Sequence, residues 1–323
     1  MNTSLRQLSI ERSVFLGADL GGMHARFRFY ELEHPSGRLH SVHEFQTVTR
    51  SYRSLRHLLD ELMRTAPSSI SRRLRGACFG VTGTVIDNRV VTSRLADWLV
   101  ESATTSDLLG GVPLHLINDV ESFAWGLDQP QQGSLILGRP PRIGGGGVQA
   151  IITLGSGVGA AAVVPGRWGP TILPSEAGQA AVNAAGDGMR WEEALMSPAR
   201  MCSCGSGRHD PPPRPEDPAC AACRRFAVMA GRFASSMALV WLTRGGVVFG
   251  GGLSRMLLHP VLVENFHHGW SWNPMLNDIV PTGSVRVITD QWHGANGAAR
   301  YAVTMLDEAF GRNAVPLIRS TVA

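Results

Sequence analysis

One short design occurs twice in this chain. Val14-Phe15-Leu16 leads into the turn Asp19-Leu20-Gly21-Gly22, and the alternating stretch Arg26-Phe27-Arg28-Phe29-Tyr30-Glu31-Leu32 leads out of it. Val148–Leu154 likewise leads into Gly155-Ser156-Gly157-Val158-Gly159, and Ala160–Val164 leads out. Each unit reads as strand, tight glycine turn, strand. Paired glycines let the backbone approach a neighbouring group closely. A dinucleotide fingerprint would instead need a G-x-G-x-x-G opening a helix, with an acidic partner further on. Both turns here open strands. Two related hairpins, one per half, predict a duplicated α/β fold.

The rest of the chain fits that duplication. Strands are expected at 14–19, 26–32, 76–81, 112–118, 148–154, 160–164 and 246–249, and helices at about 52–64, from 119, at 222–244 and at about 297–310. A third glycine turn, Gly250-Gly251-Gly252, follows the strand ending at Phe249. With 323 residues the chain exceeds one ordinary core, so two lobes are expected. The expected division is a small lobe of 1–129 with 292–323 and a large lobe of 130–291. A cleft between the lobes would let a hairpin from each half hold a polyphosphate.

Composition removes several alternatives. All 30 basic residues are arginine, which excludes a P-loop lysine, a kinase strand lysine and a Schiff base. Any phosphoryl chemistry would rest on backbone amides, metal and arginine. The net charge of +4 is spread along the chain with no basic block, so no nucleic-acid partner is expected. The apolar run Phe226–Leu242 is short for a membrane span and is broken by Arg232, Ser235 and Ser236. The N-terminus lacks the apolar core of a signal peptide. A cytoplasmic protein without a membrane partner is the expectation.

Five segments, in order, resemble the bacterial glucokinase family of the hexokinase and actin-like ATPase superfamily. Asp19-Leu20-Gly21-Gly22-Met23-His24-Ala25-Arg26 is similar to that family's D-x-G-G-T-N-x-R, and Ile117-Asn118-Asp119-Val120 to its I-N-D-F. Gly155-Ser156-Gly157-Val158-Gly159 matches G-T-G-x-G. Leu173-Pro174-Ser175-Glu176-Ala177-Gly178-Gln179 matches L-P-G-E-G-G-H. Gly245 to Leu253 matches G-G-V-x-x-x-G-G-I. Each segment is short, and together they cover nearly the whole chain. The resemblance implies a two-lobed actin-like ATPase fold of the ribonuclease H type, with an interlobe cleft.

It also implies site residues. Asp119, at a strand-to-helix junction, would be the catalytic base that accepts the sugar hydroxyl proton. Taken alone, an Asp at such a junction reads as a helix cap. Asn118, Glu176, Gln179, Glu193 and Ser93 would bind the sugar, since carboxylates accept strong hydrogen bonds from hydroxyls. Glu193 aligns best by its distance from Met196-Ser197, with Glu192 as the alternative. Asp19, Gly21, Gly22, Met23, Gly155, Ser156, Gly157, Gly251 and Gly252 would hold ATP and Mg²⁺ through backbone N–H groups and the Asp19 carboxylate. Met23 stands where the family has a threonine, and a thioether donates no hydrogen bond. Gln179 stands where the family has a histidine.

The expected activity is an ATP-dependent hexokinase, a glucokinase acting on glucose or a related hexose, in a homodimer. The alternative is a catalytically weak, glucokinase-like binder of sugar or nucleotide, suggested by Met23 and Gln179. Cys202, Cys204, Cys220 and Cys223 form C-x-C and C-x2-C pairs that could close a structural zinc site or remain thiols.

Overall fold

The computed structural model describes residues 13–33, 37–93, 95, 98–127, 133–138, 147–166, 169–180, 190–200, 221–275 and 284–309. They fall into two compact units. One lies within Met1–Asp128 and Trp292–Ala323, the other within Gln129–Gln291.

In the first unit, β1 (Val14–Leu20) pairs antiparallel with β2 (His24–Glu33), which pairs antiparallel with β3 (Arg38–Val48). After α1 (Leu55–Thr65), β4 (Leu74–Val81) returns parallel to β1. A hairpin of β5 (Gly83–Ile86) and β6 (Arg89–Ser93) and the helix α2 (Ser102–Leu108) precede β7 (Leu114–Asn118), which runs parallel to β4 and leads into α3 (Asp119–Trp125). The sheet order is β3-β2-β1-β4-β7.

β1 is covered on both faces, which explains its unbroken apolar start. Val14, Leu16, Ala18 and Leu20 share a buried cluster with Leu55, Leu58, Leu59 and Leu62 of α1. Phe15 joins Cys78, Ile117 and the helix His293–Ala309 in a second cluster. Side chains alternate along a strand, so Gly17 and Asp19 share the face of Phe15. The His293–Ala309 helix crosses there so closely that a Cβ on Gly17 would lie 2.0 Å from the Ala295 carbonyl oxygen. The same crossing brings the helix start against Asp19, where a Cβ on Gly294 would lie 3.3 Å from Asp19 Cγ. Glycine at position 17 thus sets where the Asp19 carboxylate meets that helix.

The β5–β6 hairpin turns through Asp87 and Asn88, at φ 48° and 61°. Two positive φ values in a two-residue loop make a primed turn, matched to strand twist. The Asn88 amide then clamps β7: its Oδ1 accepts from Leu116 N–H at 2.6 Å and its Nδ2 donates to Leu114 O at 3.3 Å.

In the second unit, β8 (Ser134–Leu137) precedes the repeated design, β9 (Gln149–Leu154), turn, β10 (Val158–Val164). β11 (Thr171–Ser175), α4 (Trp191–Arg200) and α5 (Ala221–Trp241) follow, then β12 (Gly246–Gly250), α6 (Pro260–Trp270) and β13 (Val285–Val287). The order is β11-β10-β9-β12-β13-β8. Its first five places repeat the connectivity of the first unit. The core lies between this sheet and α5 and α6, through Phe226, Ala230, Phe233, Phe249 and Phe266.

Element ends differ from expectation. The helix expected over 222–244 stops at Trp241, because Leu242 takes a left-handed conformation at φ 49°. The strand expected from Val112 starts at Leu114, after Pro113, which has no N–H to give the ladder. The last helix begins at His293, four residues before the expected start. Among the described residues no helix is long and apolar enough to cross a membrane.

Candidate active site

The turn between β1 and β2 is held by its own backbone and by one residue from the end of β3. Gly21 N–H donates to His24 O at 3.0 Å, and Thr49 N–H donates to Met23 O at 2.9 Å. The buried Thr49 hydroxyl donates to Gly21 O at 2.7 Å. Three turn carbonyls are therefore tied into the fold. Met23 projects outward, 48% exposed. Asp19, at the end of β1, takes a long ion pair of 3.4 Å from Arg26 Nη1. Burial pushes its carboxyl above the ordinary range, against the pull of Arg26.

The strand-to-helix junction shows which residue caps the helix. Asn118 ends β7 in an extended conformation and its Oδ1 accepts from Val120 N–H at 2.9 Å, so Asn118 is the N-cap. Asp119 is the first helical residue and is half-buried. The other arm of Asn118, Nδ2, donates to Gly83 O at 2.7 Å. Gly83 pairs across the hairpin with Ser93, so the backbone of Ser93 comes to the same place as Asn118. Each arm of the Asn118 amide keeps one further hydrogen-bonding position.

Glu121 was not singled out by the sequence motifs. Burial raises its carboxyl to about 7. It stands three residues after the cap, the glutamate position of the N-D-x-E spacing.

In the second unit, Gly155 N–H donates to Gly157 O at 3.0 Å, closing the turn after β9. β12 runs parallel beside β9, with Gly250 opposite Thr153, so two glycine turns emerge side by side. Gly251 sits at φ 87°, and a Cβ there would lie 2.4 Å from Leu154 O. Only glycine permits that approach. Gly252 opens a short 3₁₀ helix, Gly252–Leu258, and the Ser254 hydroxyl donates to Gly251 O at 2.6 Å. Among the described residues, no atom would stand within 4 Å of a Cβ on Gly155 or Gly252.

β11 delivers Glu176, exposed, and the single turn Ala177–Gln179. Gln179 Nε2 donates to Glu192 Oε2 at 2.6 Å, and Arg190 Nη1 donates to Gln179 Oε1 at 2.9 Å. Glu193 takes Arg190 Nε at 3.0 Å, and that guanidinium, which also donates to Gln179, holds its carboxyl below the ordinary range. Helical phase explains the split, since adjacent residues on a helix do not share a face. Glu192 is thus bonded directly to Gln179, and Glu193 is joined to it through Arg190.

Cys202, Cys204 and Cys220 lie outside the described residues. Cys223 lies in α5 and is buried in the core. Among the described residues no cluster of three or more His, Cys, Asp or Glu is placed to hold a metal.

A family model described as Glucokinase matches residues 16–196 and 214–305. A glucokinase-like protein of Xylella fastidiosa is 23% identical over 318 residues, covering 89% of this chain and 94% of the relative. A glucokinase of Nitrobacter hamburgensis is 27% identical over 273 residues, covering 73% of this chain and 80% of its own. A crystal structure of a ROK family glucokinase from Streptomyces griseus, in complex with glucose and AMPPNP, superposes with a TM-score of 0.64 at 20% identity, covering 90% of this chain and 99% of that one. The fold is the duplicated α/β fold of the actin-like ATPases, with one strand order carried by both units.

Proposed function

The chain belongs to the glucokinase family, and from that premise we propose that it is an ATP-dependent hexokinase that transfers the γ-phosphoryl group of ATP to the 6-hydroxyl of glucose. The observation that carries this reading is the division of labour at Asn118-Asp119. The cap is made by Asn118. Asp119 is therefore not the residue that caps the helix.

Phosphoryl transfer asks a protein mainly for positioning and charge neutralisation. In the proposed reaction the sugar O6 forms a bond to the γ-phosphorus while the bond to the ADP oxygen breaks. Asp119 takes the O6 proton. Asn118, Ser93, Glu176, Gln179 and one of Glu192 and Glu193 orient the hydroxyls, Glu192 being the one bonded directly to Gln179. The turns at 21–23, 155–157 and 251–252 offer backbone amides to the phosphates, in a chain that has no lysine to do so. Asp19 suits Mg²⁺: it is a hard oxygen donor, and burial leaves its charge undercompensated by Arg26. Mg²⁺ would supply charge neutralisation at the phosphates. A cytoplasmic homodimer goes with this reading.

A second reading, a sugar or nucleotide binder of weak activity, is favoured by Met23, which projects outward at the position of the family's hydroxyl. ADP release measured with a panel of hexoses separates the two. Glucose-stimulated turnover supports the kinase. Calorimetric binding of glucose without turnover supports the binder.

A further inference from the structure

We propose that Arg286 is the centre of an anion site in the second unit, built to take a phosphate-type oxyanion and separate from the glycine turns assigned to the nucleotide. The site rests on no part of the kinase reading.

Side chains alternate along β13. Val285 and Val287 join the core with Val247 and Phe249. Arg286 therefore belongs to the other face of the sheet, where it is 2% exposed. Its neighbours across the sheet are apolar, Val248 on β12 and Leu135 on β8. All three guanidinium nitrogens are buried, and among the described residues none of them has a hydrogen-bond partner.

Two hydroxyls in the same state occupy the start of β12. Ser284 stands two residues before Arg286, so it shares the face of Arg286, roughly 7 Å away along the strand. It is buried, and its Oγ has no partner among the described residues. Thr243 is buried too, with its Oγ1 equally unpartnered. Both residues lie against Gly246. Its N–H donates to Thr243 O at 3.1 Å, and a Cβ on it would lie 2.3 Å from Ser284 Oγ.

A guanidinium stays protonated and offers a fork of N–H donors that matches an oxyanion. Buried polar groups are as a rule hydrogen-bonded, and a buried charge without a counter-charge is strongly unfavourable. Water would satisfy the donors and bring no charge. An oxyanion supplies both. Hydroxyl donors beside the fork suit an ion with more than two oxygens better than a carboxylate. The place is distinct from the nucleotide turns. Gly246 opens β12, whereas Gly250 closes it at the Gly251-Gly252 turn, about 13 Å further along the strand.

The test is thermal unfolding of the unaltered protein, Arg286→Met, Ser284→Ala and Gly251→Ala, titrated with sodium phosphate, with sodium acetate, and with sodium chloride at matched ionic strength. Each titration is repeated with saturating ADP. Phosphate is expected to raise the Tm of the unaltered protein by about 4 °C or more at saturation, with or without ADP. Arg286→Met should lose that rise and, without phosphate, be at least as stable as the unaltered protein, because it buries no unpaired charge. Ser284→Ala should weaken the phosphate Kd about fivefold. Gly251→Ala should keep the full rise. An unaltered protein that phosphate does not stabilise overturns the site, as does a rise that survives in Arg286→Met. A rise abolished by ADP or by Gly251→Ala places the phosphate at the nucleotide turns and overturns it too. Acetate acting as well as phosphate overturns the ligand class. If Arg286→Met does not fold, Ser284→Ala decides, and an unchanged phosphate Kd there overturns the proposal.

Discussion

Replacing Glu121 by glutamine should make the protein more stable at pH 8 and leave it nearly unchanged at pH 5. The carboxyl titrates near 4.5 in an unfolded chain and near 7 in the fold. Because the folded value is the higher one, its favourable contribution is complete below 4.5 and is lost as the pH rises through 7. Each pKa unit is worth about 1.4 kcal/mol. The ionised carboxyl therefore costs the fold roughly 3 kcal/mol at pH 8, of which about 2.5 kcal/mol develops between pH 5 and pH 8. Glutamine fills the same space and carries no charge to bury. Urea unfolding of both proteins at pH 5, 6, 7 and 8 measures the difference. The stability gap should widen steadily in favour of the variant. Parallel curves, or a gap that narrows as pH rises, would refute the reasoning, because they would mean that the carboxyl is not desolvated in the fold.

Other substitutions probe the turns. Gly251→Ala must place a Cβ 2.4 Å from Leu154 O at a φ of 87°, and should raise the ATP KM at least about tenfold in steady-state kinetics while leaving glucose binding intact. Thr49→Val removes the hydroxyl bonded to Gly21 O at 2.7 Å; it should cost about 1–2 kcal/mol in denaturant unfolding and raise the KM for ATP more than that for glucose. Met23→Thr restores a hydroxyl to the first turn and should lower the ATP KM several-fold; an unchanged or higher value would mean that this turn does not face the nucleotide.

Much of the fold was readable because glycine pairs at strand ends leave few options. The turns after β1, β9 and β12 were found that way, and with them the repeated connectivity. Other elements gave weaker signals. β3, Arg-Leu-His-Ser-Val-His-Glu-Phe-Gln-Thr-Val, is the edge strand of its sheet and has no buried residue, so its sequence carries little apolar alternation. The β5–β6 hairpin rests on Asp87-Asn88 in place of the Asn-Gly or Asp-Gly that would announce it. Leu242 ends α5 in a conformation that branched side chains seldom adopt, so Gly245 looked like the better stop. Within the candidate site, Asn118-Asp119 was visible as a motif, but which of the two caps the helix depends on geometry. That Glu192 bonds Gln179 directly and Glu193 through Arg190 turns on helical phase, which distance along the chain does not reveal. Thr49 reaches the Gly21 turn from 28 residues away, and no local pattern could link them.

The central claim is that this chain moves a phosphoryl group to a sugar with Asp119 as the base. Phosphorus NMR of a mixture of protein, ATP, Mg²⁺ and glucose tests it most directly, run beside the Asp119→Asn variant. The account predicts a sugar 6-phosphate resonance that grows in step with ADP in the unaltered protein and is slowed by several hundredfold or more in the variant. Release of inorganic phosphate without a sugar phosphate, or equal product from both proteins, would contradict it.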